Sequence, residues 1–191
     1  MRAPCPCFAQ GLSLAFLLVT TSVSAAVQVL VVTGLGGEPI FEQRFEGWAR
    51  NLRDVSTQRF GVSKDDFRWL ASTDASDANG RATLESIKES VAQFAESGRP
   101  DAPLLLVLIG HGTVRGPDVS FNLRGPDLSP GTLSTLLDSF GSRPQVVVNA
   151  ASASGPFVRQ LSASGRVVVT ATASAAEHHV TRFGGHFIDA F

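Results

Sequence analysis

The chain has 191 residues, 43% of them hydrophobic and 17% charged, with 16 Lys+Arg against 17 Asp+Glu. No Lys/Arg stripe exists, which excludes a nucleic-acid partner, and the many Ala, Val, Leu and Phe residues suffice for a proper core. The two cysteines are Cys5 and Cys7, both near the N-terminus.

The first residues read as a secretory signal: Arg2 as the positive region, Leu12 to Val19 (LSLAFLLV) as the apolar region, and Val23-Ser24-Ala25 before Ala26 as the cleavage pattern. An uncleaved anchor running on through Val32 is disfavoured. Thr20, Thr21, Ser22, Ser24 and Gln28 interrupt it, and the apolar core alone is too short to span a bilayer. Cys5 and Cys7 precede the apolar region, whereas a lipobox cysteine would follow it. The expectation is a signal peptide over residues 1–26 and one domain over residues 27–191, secreted or periplasmic and free of the membrane after cleavage. Cleavage removes one of the 16 basic residues and leaves 17 acidic ones, for a net charge of −2. It also removes both cysteines, and with them disulfides, cysteine metal ligands and a cysteine nucleophile.

Val27 to Thr33 (VQVLVVT) is β-branched and stops at Gly34, as a buried strand does. Phe41 to Val55 has helical spacing, with Phe41, Phe45, Trp48 and Leu52 on one face. Phe67 to Ser72 is a short strand, Thr73 to Asn79 a polar loop, and Thr83 to Glu96 a helix with Leu84, Ile87, Val91 and Phe94 inward. Leu104 to Ile109 (LLLVLI) is the most apolar run and reads as a central strand. Val119 to Leu123 fits a small side hairpin. Ser129 and Pro130 suit the N-cap and first position of a helix reaching about Phe140. Gln145 to Asn149 is a strand, Gly155 to Ser162 a short helix, Arg166 to Ala171 a fifth strand, and Thr181 to Phe191 a helix. Continuous apolar strands separated by amphipathic helices predict a three-layer α/β fold, with a mostly parallel sheet covered on both faces. Ligands bind such sheets beyond the carboxyl ends of the strands. That directs attention to residues 34–39, 110–116, 150–155 and 172–181.

In the first of these, Gly34-Leu35-Gly36-Gly37-Glu38-Pro39 lacks the third glycine of a dinucleotide fingerprint and the Gly-Lys-Ser/Thr of a phosphate loop. It reads as a tight strand-to-helix turn, and no cofactor is expected. Gly110-His111-Gly112 puts a histidine at a central strand end, where a base belongs; alone, it reads rather as a hydrogen-bonded loop residue. Asn149-Ala150-Ala151-Ser152-Ala153-Ser154-Gly155 crowds small residues into a turn with Ser152 at its top. There a nucleophile gains exposure and nearby helix N-terminal amides. The competing reading is a small-residue turn with Ser154 capping the helix. A histidine at one strand end and a nucleophile at the next raise each other's weight.

These residues resemble the caspase-like clan of cysteine peptidases, and within it the legumain-like family. In that family one strand ends in His-Gly and the next in Ala-Cys-x-Ser-Gly. Ile109-Gly110-His111-Gly112 is similar to the first. Ala151-Ser152-Ala153-Ser154-Gly155 is similar to the second, with Ser152 in the cysteine's place. The similarity extends over most of the domain in strand order, from Val32-Thr33-Gly34 to Phe183-Gly184-Gly185. It implies a caspase-like three-layer fold, His111 as general base, Ser152 as nucleophile, and an oxyanion hole of the Gly112 and Ser152 N–H groups. Three positions depart from the pattern. Serine replaces cysteine at Ser152. Gly36 stands about where the family has an asparagine that orients the histidine. Ala150 replaces an acidic residue of the specificity pocket, so an asparagine preference is not expected.

A thiol is partly ionised at neutral pH, whereas a serine hydroxyl needs a base in direct contact and a third group fixing it. The expectation is therefore a peptidase-family protein with weak or absent activity. Its partner is a polypeptide substrate or peptide ligand. The alternatives are a non-catalytic module that binds a peptide or partner, and an α/β serine esterase, which lacks its Gly-x-Ser-x-Gly elbow here. Glu177-His178-His179 and His186 read as a loop at the site mouth and not as a zinc site. Asp74, Asp77 and Asn79 lack the offsets of a calcium loop and read as a solvated turn. No metal is expected. The chain stops at Phe191 within an apolar helical stretch without a capping signal, where continuation is expected.

Overall fold

A computed structural model describes residues 27–97, 99, 101–177, 179 and 181–191. The expected signal peptide lies outside the described residues.

Six strands form one parallel sheet: β1 (Gln28–Thr33), β2 (Phe67–Ala71), β3 (Gly80–Arg81), β4 (Leu104–Ile109), β7 (Gln145–Asn149) and β8 (Arg166–Thr170). Their order across the sheet is β3-β2-β1-β4-β7-β8. Between β4 and β7 a separate antiparallel ribbon of β5 (Gly112–Arg115) and β6 (Asp118–Phe121) stands off the sheet. The helices are α1 (Pro39–Gln58), α2 (Leu84–Glu96), α3 (Pro130–Asp138), α4 (Pro156–Leu161) and α5 (Phe183–Asp189).

The inner strands β1, β2, β4 and β7 bury both faces, which is why β1, β4 and β7 read as near-continuous apolar runs rather than alternating ones. On one face Val29, Val31, Trp69, Val107, Ile109 and Val148 pack with Phe45, Ala49 and Leu52 of α1 and Ile188 of α5. On the other, Leu30, Val32, Leu104, Leu106, Leu108 and Val147 pack with α2, α3 and α4 through Ile87, Val91, Leu133, Leu137, Phe157 and Leu161. This is the three-layer α/β arrangement expected from the sequence.

Local signals explain the helix starts. Pro39 opens α1, the Thr83 side chain accepts from the Ser86 N–H at α2, and Ser129 accepts from the Thr132 N–H at α3. The strand β3 was not foreseen. It is two residues long, and its pairing to Leu70 and Ala71 carries no periodic signal.

Chain direction across the sheet reverses beside β1. From β1 the chain moves outward to β2 and β3, then returns to β4 on the other flank of β1 and proceeds to β7 and β8. The β1/β4 boundary is thus a topological switch point, the place beyond the strand ends where sheets of this kind bind ligands.

Candidate functional site

At the switch point β1 and β4 run in register to Thr33 and Ile109, and the Gly34 N–H donates to the Ile109 carbonyl at 2.8 Å. A Cβ on Gly34 would meet the Phe121 ring at 2.7 Å, and one on Gly110 would meet it at 3.0 Å and Gly34 Cα at 3.2 Å. The two glycines therefore let both strand ends close over the fully buried Phe121 ring. This sets the position of His111, whose main-chain oxygen accepts from Asn122 N–H at 2.9 Å.

The His111 ring lies against α1, edge-on to Phe41 and Phe45 at centroid distances of 5.6 and 5.5 Å. Its Nε2 is 3.1 Å from the Gly36 carbonyl oxygen. A carbonyl only accepts, so Nε2 carries the proton and Nδ1 holds the lone pair of the neutral ring. Burial pushes the His111 pKa below its ordinary 6.5, and the smaller opposing effect of the Gly36 hydrogen bond does not restore it. The position that lacks an orienting side chain thus supplies an orienting main-chain oxygen.

Ser152 stands three residues beyond β7. The turn is shaped at its start by Asn149, whose Oδ1 accepts from the Ala151 N–H at 3.1 Å, an Asx-turn. Just after Ser152, Ala153 has a φ of 53°, in the left-handed region that non-glycine residues enter at a cost. Its N–H donates to the Glu177 carbonyl at 2.9 Å, which helps hold it there. Ser152 Oγ accepts from the Gly112 N–H at 3.2 Å. Among the described residues no hydrogen bond joins His111 to Ser152, and no acceptor meets the Ser152 N–H. Ser152 is 2% exposed, so the expectation of an exposed nucleophile is corrected. The small residues that make the turn tight also sink its serine below the surface.

The helix expected to support the turn has a different role. α4 is short, its N-cap is Gly155, and no side chain caps it. Ser154 instead faces β8: its Oγ accepts from the Thr172 N–H at 3.3 Å, and the Gly155 N–H donates to Thr172 Oγ1 at 3.0 Å. A Cβ on Gly155 would fall 2.5 Å from the Ala173 main chain, so this glycine permits the close approach. Glu177 fastens the loop after β8, its Oε1 accepting from Ala173 and Ser174 N–H, each at 3.0 Å.

Ala150 does not line an open pocket. Its carbonyl accepts from Thr181 Oγ1 at 2.6 Å, and a Cβ on Gly184 of α5 would be 3.4 Å from Ala150 Cβ and 2.8 Å from Trp48. The cleft that adjoins the Ser152 turn, of about 410 Å³, is bounded by Thr172, Glu177, His179, Thr181, Arg182 and Phe183. His186 lies in α5 beside another cleft with Arg44, Trp48 and Asp189. His178 lies outside the described residues. Asp77 is occupied by Arg50 and Arg53, which hold its carboxyl down to about 2. Asn79 Oδ1 accepts from the Trp69 N–H at 2.8 Å, and Asp74 pairs with Arg81.

Sequence reading singled out His111, Ser152 and the Gly112 N–H, but not two groups that contribute to the site in the structure. The Gly36 carbonyl is a main-chain group without a side-chain signature. Asn149 had a detectable signal, since an asparagine ending a valine run favours an Asx-turn. No protein-family model matches this sequence, and no curated protein is significantly similar to it.

Proposed function

We propose that this chain is a peptidase-family domain of the legumain/caspase-like type, exported to the periplasm or beyond, that binds polypeptides at the cleft adjoining the Ser152 turn and hydrolyses them slowly or not at all. The observation that carries the reading is the hydrogen bond from the Gly112 N–H to Ser152 Oγ beside a neutral His111 that faces Gly36 instead.

For acyl transfer, His111 Nδ1 would take the Ser152 hydroxyl proton while Oγ attacks the peptide carbonyl. The Gly112 and Ser152 N–H groups would receive the oxyanion, and His111 would return the proton to the leaving amine. A neutral His111 suits the first step. Two features hold the reaction back. The donor the oxyanion needs is occupied by the nucleophile itself. Behind the imidazole stands an uncharged carbonyl, which steadies an imidazolium less than the carboxylate of a serine-peptidase triad.

Panning a displayed peptide library on the purified protein tests the reading. Linear peptides should be enriched, and their affinity should fall on Arg182→Ala or Phe183→Ala in the adjoining cleft. A fluorophosphonate probe should leave Ser152 unlabelled. Rapid labelling lost on Ser152→Ala would make the protein an active serine hydrolase, and absence of any cleft-dependent peptide would remove the binding reading.

A further inference from the structure

Asn149 closes a strand that otherwise reads QVVV, and it is 1% exposed. Side chains alternate along a strand, so it shares the face of Val147, which packs into the apolar cluster beneath α3 and α4. A fourth valine would continue both the strand and the packing. The asparagine instead leaves its buried Nδ2 without an acceptor among the described residues. An unpaired buried amide opposes folding. Packing therefore does not account for this residue.

The other end of the same side chain has a defined task. Oδ1 accepts from the Ala151 N–H and bends the chain off the sheet immediately before Ser152. The bend, with Ala153 in the left-handed region, brings Ser152 Oγ to 3.2 Å from the Gly112 N–H on the neighbouring strand end. Without the Asx-turn, the strand would favour continued extension past Ala150 and carry Ser152 off that donor.

We infer that Asn149 is the positioning residue of this site, setting the turn that aims position 152 at the Gly112 amide. The inference rests on the reading of Ser152 as the nucleophile position, but its test involves no peptide, so the two can fail separately. The readout is the ionisation of a thiol placed by Ser152→Cys in the full chain, followed by ultraviolet thiolate absorbance with the parent protein as blank. An N–H donor stabilises the thiolate and lowers its pKa. Adding Asn149→Val should raise the titration midpoint by about one pH unit, as expected for losing one such donor. Its melting temperature should stay at or above that of the Asn149 protein. Asn149→Ser keeps an acceptor for the Ala151 N–H and should bring the midpoint back. An unshifted midpoint in the valine variant would overturn the inference, and so would equal shifts in the valine and serine variants. If the valine variant does not fold, Asn149→Ala removes the same acceptor without added bulk, and an unshifted midpoint there overturns it equally.

Discussion

Replacing Gly112 with alanine probes how closely the β4–β5 corner meets the Ser152 turn. A Cβ there would lie 2.3 Å from the Ser152 carbonyl oxygen and 3.1 Å from that of Ser120. Both are main-chain atoms and cannot rotate aside. An ordinary C···O contact needs about 3.3 Å, so the corner and the turn must part by about 1 Å. Overpacking of this kind costs about 1–3 kcal/mol, a fall in Tm of roughly 2–12 °C for a domain of this size. The same separation removes the Gly112 N–H from the atom at position 152, now 3.2 Å away. In a Ser152→Cys background that donor would face a thiolate, and a hydrogen bond to a charged group contributes about 1.5–3 kcal/mol. At about 1.4 kcal/mol per pH unit, Gly112→Ala should raise the thiol midpoint by about 1–2 pH units. Thermal melts and thiolate absorbance measure the two effects independently. A Gly112→Ala protein that melts with its parent and titrates at the same pH would refute the close packing of this corner.

Three other perturbations follow from the same geometry. Ser152→Cys should gain hydrolysis of fluorogenic versions of the panned peptides over the parent, because a thiol tolerates a loosely placed base; no gain, or a gain unchanged by His111→Ala, would count against His111 as the base. The His111 ring should titrate by NMR below 6.5. Because the folded value is the lower one, the unfolded chain takes up the proton first. Stability is therefore insensitive to this group above about 6.5 and declines as pH falls below it, until the folded ring protonates; urea midpoints across that range, compared with His111→Phe, check the sign. Phe121→Ala, at a fully buried ring beneath Gly34 and Gly110, should destabilise by about 3–5 kcal/mol, measured by denaturant unfolding.

The layers of the fold were legible because burial on both faces imposes a composition that can be read without partners: LLLVLI and QVVVN mark β4 and β7 to the residue. The ends of α1 were less so, since Pro39 to Ile40 and Ser56 to Gln58 extend the helix beyond its apolar face. At the site, residue types announced His111 and Ser152, but their relation was not legible. Which nitrogen of His111 is protonated depends on a main-chain oxygen 75 positions away in sequence. The left-handed φ of Ala153 has no sequence signal, because alanine has no preference for it. Ser154 shows the reverse case. Its type and place fitted a helix cap, but Thr172, in the loop after β8, competed for the same hydroxyl.

The placement of β1 in the middle of the sheet has a consequence for how the chain acquires its structure. β1 emerges first from any N-to-C-terminal process, and one of its edges is satisfied early by β2. Its other edge waits for β4, where Val29 pairs with Leu105, about 75 residues later, and closing so long a loop is entropically slow. Until then a β-branched strand offers an open, apolar edge. This interval is when a chaperone would matter most. It also predicts that refolding yield depends on protein concentration much more steeply than the final domain's solubility would suggest.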